Sequence, residues 1–570
     1  MSYDPPIADI LDTLENVTGL GSLLDQANFA DLDCSLARDV LQSGADFVRE
    51  HIAPHAAAMD TEGCAFDKGR AALPRAFSGI WQAYVDGGWL SLAIPRAHGG
   101  HGLPHLIQAA FSEMVCGASV PVSMLPLLVR GAAAVLARYG DDKIKAEYLP
   151  KLVDGRWAAT ISITEPGAGS DVALLKTKAG QQSNGSWRVN GAKMFISFGD
   201  HQLAEGILHM TLARIEGATG GLGLFAVPAF NDHRRDGSVT PQRIEHKLGL
   251  MASPTCVLQY DDAEGFPMGG PQDGLKAIFT MINLMRLEVA VQGVGLAGAA
   301  TQAAYSYADM RVQGSRGGNA TPIAQHPDII RNLLTMSAVT DAARALVYET
   351  AKQLDLAENG RDPAVRERAA RMAAFLLPVC KAGCAEAAVD VTDIAIQIHG
   401  GHGYIRDTGV ERLYRDARIL PIYEGTTGIQ AIDLLLRKLN GGGFEDFLAR
   451  VEADLVQADN TGSPSLSLAM RDAVDACEAC VAHLRALIGT DRDCALAAAT
   501  PFIRLVYRLA LGWAWMQLVS RGTVDIDDRR LCAAFYAEQI LPEVELLRRQ
   551  IMASSAGWAR GRADARRLTA

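Results

Sequence analysis

Trp157-Ala158-Ala159-Thr160-Ile161-Ser162-Ile163-Thr164-Glu165-Pro166-Gly167-Ala168-Gly169-Ser170-Asp171 is where an otherwise helical chain changes texture. The first eight residues are rich in aromatic and β-branched side chains, and a Gly-rich run follows them, as at the end of a strand. Ser186-Trp187-Arg188-Val189-Asn190 and Gly223-Leu224-Phe225-Ala226-Val227-Pro228 share that texture, and Lys193-Met194-Phe195-Ile196-Ser197 begins another strand. Asn184-Gly185, Asn190-Gly191 and Phe198-Gly199-Asp200 are turn signals between them. A β-rich domain therefore lies over 156–270.

Helical spacing governs the flanks. Leu36-Ala37-Arg38-Asp39-Val40-Leu41 and Ile107-Gln108-Ala109-Ala110-Phe111-Ser112-Glu113-Met114-Val115 predict a helical domain over 1–155, with Gly87-Gly88 and His98-Gly99-Gly100-His101-Gly102 as turns. Ala-rich helices return over 271–440. Asn440-Gly441-Gly442-Gly443 breaks them, and Phe444, Phe447, Leu448, Val451 and Leu455 begin a further helical unit over 441–570. The fold class expected is α+β, mainly α.

The chain has 570 residues, a net charge of −11 and 49% hydrophobic content, the composition of a globular protein. An acidic balance disfavours nucleic-acid binding. Met1 to Leu20 has no basic region followed by an apolar run, so a cytoplasmic protein is expected. Val289 to Ala308 is charge-free over a helix length. Its Gln, Thr, Ser, Tyr and Gly content predicts a packed bundle helix and no transmembrane segment. The ten cysteines are expected to be reduced. Cys477-x-x-Cys480 lies within Leu466, Met470, Val474, Cys477, Val481, Leu484 and Ile488, a helical core series, and has no second ligand pair. Gly293-Val294-Gly295-Leu296-Ala297-Gly298 fits a dinucleotide pattern but is flanked by helix on both sides, so close helix packing is the reading. His98, His101 and His105 read as loop residues, and no metal is expected. Arg548, Arg549, Arg560, Arg562, Arg566 and Arg567 read as a solvated or salt-bridged face.

Two segments carry candidate chemistry. The Thr164–Asp171 loop offers amides and hydroxyls to a polar ring edge or a phosphate, though such a loop is as often ordinary. In Tyr414-Arg415-Asp416-Ala417-Arg418-Ile419-Leu420-Pro421-Ile422-Tyr423-Glu424-Gly425-Thr426-Thr427-Gly428-Ile429-Gln430, a single carboxylate, Glu424, separates an apolar run from a turn. In a dry pocket its pKa would rise toward that of a general base. The competing reading is a helix-start Glu favoured by the dipole.

Taken in order, TEPGAGSD, KMFIS, Arg286, Arg311, Gln397-Ile398-His399-Gly400-Gly401-His402-Gly403, Arg412–Arg418 and Tyr423-Glu424-Gly425-Thr426 resemble the acyl-CoA dehydrogenases over about residues 30 to 440. The resemblance implies a helical domain, a β-barrel and a four-helix bundle, with FAD between barrel and bundle and part of its site from a neighbouring subunit. It implies that Glu424 removes the α-proton of an acyl-CoA thioester while the β-hydride goes to flavin N5. It further implies that Ile163, Thr164, Gly169, Ser170, Phe195, Ser197, Arg311, Gln397, Gly400, Gly401 and Thr426 contact FAD, and that Ser170, Arg286 and Gly425 contact substrate. Electrons are expected to pass to electron-transfer flavoprotein. An oxidase using oxygen and an inactive acyl-CoA-binding homologue are the alternatives. Three positions bear on these expectations. Phe195 stands where many members have Trp, and His326-Pro327 where many have His-Gln. Met285 occupies the place where some branched-chain members carry their base, which favours Glu424. The leader Tyr3–Leu20, the segments Glu245–Cys256 and Gly425–Leu434 and the extension after Gly443 resemble the broad bacterial 3-methylthiopropanoyl-CoA dehydrogenase-like subgroup, whose members need not share one substrate; a short or medium acyl-CoA, 3-methylthiopropanoyl-CoA included, is the substrate this implies. The extension is expected to leave a homodimer.

Overall fold

The computed structural model describes residues 3–29, 32–217, 221–230, 237–270, 273–458 and 464–553. Contacts group them into two compact units, one of 44–288 and one of 3–43 with 289–570.

The 44–288 unit opens with helices and a short hairpin, β1 (Ala65–Asp67) against β2 (Arg70–Ala72), which interrupts the all-helical N-terminal reading. Asp200 holds this hairpin by accepting from the Ala71 amide at 2.8 Å and from the Arg70 guanidinium. Helix Asp142–Val153 starts at Asp141, whose carboxylate accepts from the Ile144 amide. It leads into β3 (Trp157–Ser162), the predicted strand. The sheet continues with β4 (Lys178–Gln181), β5 (Trp187–Ser197), β6 (Gly206–Ile215), β7 (Leu222–Phe230), β8 (Val239–Ile244) and β9 (Thr255–Pro267). β6 pairs with β4, β4 with β5, β5 with β9, β9 with β7, and β7 returns to β6. That ring is a closed barrel, flanked by β3 on β6 and β8 on β9. Closure leaves few edges to protect. Val189, Ile196, Ala213, Phe225, Val227, Leu258 and Tyr260 are among the residues that fill its core.

One expectation fails here. Asn190-Gly191 is not a turn, because β5 runs unbroken from Trp187 to Ser197. Gly191 (φ +149°) sits at a register shift against β9, where a Cβ would lie 2.8 Å from the Thr177 Cα. The glycine serves a close backbone approach within a strand. Asn184-Gly185 does turn β4 into β5, and Phe198-Gly199-Asp200 ends the latter.

Among its described residues, the 3–43/289–570 unit is helical apart from one hairpin, β10 (Val312–Arg316) with β11 (Asn319–Pro322). Its bundle is built on helices Gly274–Met310, Pro327–Asn359 and Pro363–His399, the first of which starts in the other unit. Gly293 is inside a helix, as the packing reading of the Gly-rich motif requires, and its Cβ would lie 2.5 Å from the Cys384 carbonyl oxygen. Gly293→Ala is therefore expected to cost about 1–3 kcal/mol through overpacking against backbone. Urea unfolding checks this, with unchanged flavin content as the accompanying result.

Beyond the Gly break, helices Gly443–Ala458, Pro464–Thr490 and Ala499–Arg521 form the extension. The last of these lies on the bundle, with Trp515 Nε1 donating to the Ala338 carbonyl at 2.9 Å and Tyr507 seated over Gly383. Cys477 and Cys480 are buried in helix Pro464–Thr490. Burial pushes both thiols up, Cys480 to about 11, so neither is a ready thiolate. Arg548 and Arg549 both bind Glu545, while the other tail arginines lie outside the described residues. The leader docks in the same unit. Buried Asp12 accepts from the Thr523 amide at 3.0 Å and from the Arg529 guanidinium, and Lys352 Nζ donates to the Thr18 carbonyl at 2.6 Å.

Among the described residues, three helical stretches are long and apolar enough to cross a membrane by length and composition: Val120–Tyr139, Gly274–Met310 and Pro363–Tyr404. The most apolar windows of the three are 89%, 72% and 83% buried inside the protein.

Candidate active site

In the 44–288 unit, the expected site residues gather at one end of β3 and β5. Thr164 accepts from the Met194 amide at 2.9 Å, which joins the TEPGAGSD loop to KMFIS. Beneath them is a buried ion pair that the sequence reading did not single out. Lys193, fully buried, donates to Glu165 at 2.8 Å and to the carbonyls of Ile163 and Leu212 at 2.9 and 2.7 Å. Glu165 also accepts from the amides of Lys176 and Thr177. Burial opposes its charge, but the hydrogen bonds from Lys193, Thr177 and Lys176 prevail and hold the carboxyl below its ordinary range. Glu165 and Ala168 are thus pinned inside while Gly169 and Ser170 are exposed.

Phe195 owes its position to a bulge. Lys193 pairs with Leu258 and Ile196 with Cys256, so β5 carries one residue more than β9 across that interval. Phe195 takes φ +60° there and is 56% exposed, with Ile196 buried and Ser197 half-buried beside it. A bulge re-aims a side chain in this way. Ile163 and Thr164 are half-buried. Arg286 lies further along, buried on its helix with its guanidinium 5.8 Å from the Phe279 ring centre.

In the other unit, Arg311 closes helix Gly274–Met310 and is exposed. One turn earlier, Tyr307 stacks on His399 at 4.2 Å, and its hydroxyl meets His402 Nδ1 at 3.3 Å. These contacts tie the Arg311 end of the helix to the Gln397–Gly403 turn, where Gln397, Gly400 and Gly401 are exposed. A Cβ at Gly400 or Gly401 would meet nothing within 4 Å.

Glu424 lies in the loop between helix Val410–Ala417 and helix Thr427–Asp433, whose N-cap is Thr426 accepting from the Ile429 amide. It is therefore no helix-start residue. Its φ is +54° and that of Gly425 is +92°. A non-glycine residue in the left-handed region costs about 1–3 kcal/mol and persists only where its surroundings impose it. Several bonds do so here. Gln430 Nε2 donates to the Glu424 carbonyl at 3.1 Å, Thr427 N donates to Pro421 O at 3.0 Å, and the Tyr423 hydroxyl donates to Gln292. Fully buried Lys381 donates to the carbonyls of Leu420 at 2.8 Å and Gly425 at 2.7 Å. The apolar run does not bury as a block. Leu420 is buried, Glu424 half-buried, and Ile422 is 47% exposed, so the expected uniformly dry surround is not present in this unit.

Family models match the chain nearly end to end: the acyl-CoA dehydrogenase N-terminal domain over 37–156, its middle domain over 160–263 and its C-terminal domain over 272–439. The chain belongs to the acyl-CoA dehydrogenase family. A further model, acetyl-CoA dehydrogenase C-terminal like, covers 447–559. Among relatives, the chain is 40% identical to the 3-methylmercaptopropionyl-CoA dehydrogenase of Ruegeria pomeroyi, over 95% of this chain and 97% of that one. It is 32% identical to a broad-specificity linear acyl-CoA dehydrogenase, FadE5, of Mycobacterium tuberculosis, over 77% and 75% of the two chains. The solved acyl-CoA dehydrogenase of Bacillus anthracis, complexed with FAD, shares the fold with a TM-score of 0.75 at 22% identity, over 94% of this chain and 92% of that one. This acyl-CoA dehydrogenase is accordingly an FAD-dependent oxidoreductase that acts on acyl-CoA thioesters.

The residues present fit the cofactor. An aromatic ring held exposed by a strained bulge and a Gly-rich loop with free faces in one unit, and an exposed arginine and an open glycine pair in the other, are the donor and stacking groups that an isoalloxazine ring and a pyrophosphate require.

Proposed function

We propose that Glu424 is the general base of α,β-dehydrogenation. The carrying observation is its left-handed backbone in a loop bonded on both sides, a strained geometry of the kind kept at functional sites. The carboxylate removes the α-proton. Its own backbone N–H serves as a donor to the thioester oxygen, where charge develops. Bound FAD would supply the acceptor for the β-hydride. Phe195 would cover the ring and exclude water, while Ile163, Thr164, Gly169, Ser170, Ser197 and Thr426 would hold the flavin end. Arg311, with its planar guanidinium, would pair with the pyrophosphate, and Gln397, Gly400 and Gly401 of a second copy of the chain would take the adenosine side. Ser170, Arg286 and Gly425 contact the acyl-CoA.

The substrate we propose is a short or medium acyl-CoA, 3-methylthiopropanoyl-CoA included, on the strength of the full-length likeness to the Ruegeria enzyme. Electron-transfer flavoprotein is the acceptor and a second copy of the chain the structural partner, for which Tyr404, 85% exposed, and Ile405 beside Gly400-Gly401 offer an apolar surface.

Anaerobic titration of the holoprotein with straight, branched and sulfur-containing acyl-CoAs, followed by flavin absorption, tests this reading. Bleaching by short or medium chains, with reoxidation by electron-transfer flavoprotein faster than by oxygen, is expected. A flavin that no acyl-CoA bleaches would overturn the substrate assignment. Because one methylene is worth only about 1–3 kcal/mol in such pockets, bleaching by neighbouring chain lengths is also expected.

A further inference from the structure

Lys381 is charged and central in helix Pro363–His399, yet fully buried within a run of buried residues from Phe375 to Ala385. A lysine in such surroundings needs strong partners. It finds two carbonyls of the loop that carries Glu424: Leu420, four residues before it, and Gly425, immediately after it. One nitrogen thus joins both sides of a stretch in which two successive residues, Glu424 and Gly425, have positive φ. Two carbonyl dipoles directed at one point repel each other unless a donor lies between them, and an ammonium with three donors supplies it. Gln430 fixes the Glu424 carbonyl itself but not the path of the chain on either side.

We infer that Lys381 is a positioning residue for the base: its ammonium clamps the Leu420 and Gly425 carbonyls and so imposes the left-handed backbone that sets the Glu424 carboxylate and N–H. The inference rests on the assignment of Glu424 as base. Lys381 acts from the interior, and its effect reaches the reaction through Glu424.

The test compares Lys381→Met, Lys381→Arg and Glu424→Gln as flavin-loaded holoproteins. For Lys381→Met, the rate of anaerobic flavin reduction per bound flavin is expected to fall about 10²-fold, the scale of a misplaced catalytic group. The dissociation constant of a non-reducible thioether acyl-CoA analogue should change less than about threefold, whereas general loosening of the fold would weaken binding and flavin retention together. Lys381→Arg, which keeps donors at that point, should recover part of the rate. Amide hydrogen exchange gives a readout independent of turnover: residues 420–426 should exchange faster in Lys381→Met, with or without flavin. If Lys381→Met does not yield holoprotein, the comparison passes to Lys381→Arg and Lys381→Gln. A slow Glu424→Gln beside a Lys381 variant of normal reduction rate and unchanged exchange would overturn the clamp alone. A Glu424→Gln of normal rate would overturn the base assignment and the clamp with it.

Discussion

Glu424→Gln is expected to slow flavin reduction by acyl-CoA roughly 10⁴-fold, the upper end of what a positioned general base contributes, while the protein still binds FAD and acyl-CoA. The amide is nearly isosteric and keeps the backbone N–H assigned to the thioester oxygen, so the ground-state complex survives and only proton removal is lost. A thioester α-proton is too weakly acidic to leave without a base in place, which is why the effect concentrates in the rate and not in affinity. Stopped-flow absorption of oxidised flavin gives the number, and equilibrium titration of the variant gives the binding. A fall of less than tenfold would move the base elsewhere. Met285 stands at the alternative place some relatives use and cannot take a proton, so no second carboxylate is ready at that position to compensate.

Breaking the Lys193–Glu165 pair should produce the largest loss of stability. Both side chains are essentially removed from water, at 0% and 4% exposure, and Glu165 accepts two backbone amides as well. Glu165→Ala leaves an ammonium buried without its counter-ion, a situation that typically costs about 3–5 kcal/mol. Glu165→Gln retains an acceptor and should cost less. Urea unfolding of the holoprotein measures both. Flavin release should accompany the Ala variant, since the same pair positions the loop over Ile163–Ser170. A change below about 1 kcal/mol for Glu165→Ala would mean that water reaches the pair.

Much of this architecture is legible in the chain because it is written in local patterns. The strand at Trp157–Ser162, the long Ala-rich helices and the break at Gly441–Gly443 follow from side-chain periodicity and backbone preference, and the structure has all three. Glu424 stood out because a lone carboxylate interrupts an apolar run. What escaped was set by distant partners. Asn190-Gly191 carries the dipeptide of a turn, yet β9 and Thr177 hold it inside a strand. Phe195 projects because β5 has one residue more than its neighbour, a mismatch that exists only once register is fixed. Lys381 left one faint trace, a charge on the apolar stripe formed by Leu377, Cys384 and Ala388, where an exposed lysine has no place. Its target lies 39 to 44 residues away and no spacing rule reaches that far.

Asp12 and Arg529 meet across 517 positions. During synthesis Asp12 leaves the ribosome long before Thr523 and Arg529, the groups that satisfy its buried carboxylate. Residues 44–288, by contrast, form a contiguous unit whose partners are all translated before the bundle is half complete. Domains generally fold as they emerge. The barrel-containing unit can therefore assemble on the growing chain, while the unit that carries Glu424 must wait until Arg529 has been translated to satisfy the carboxylate of Asp12.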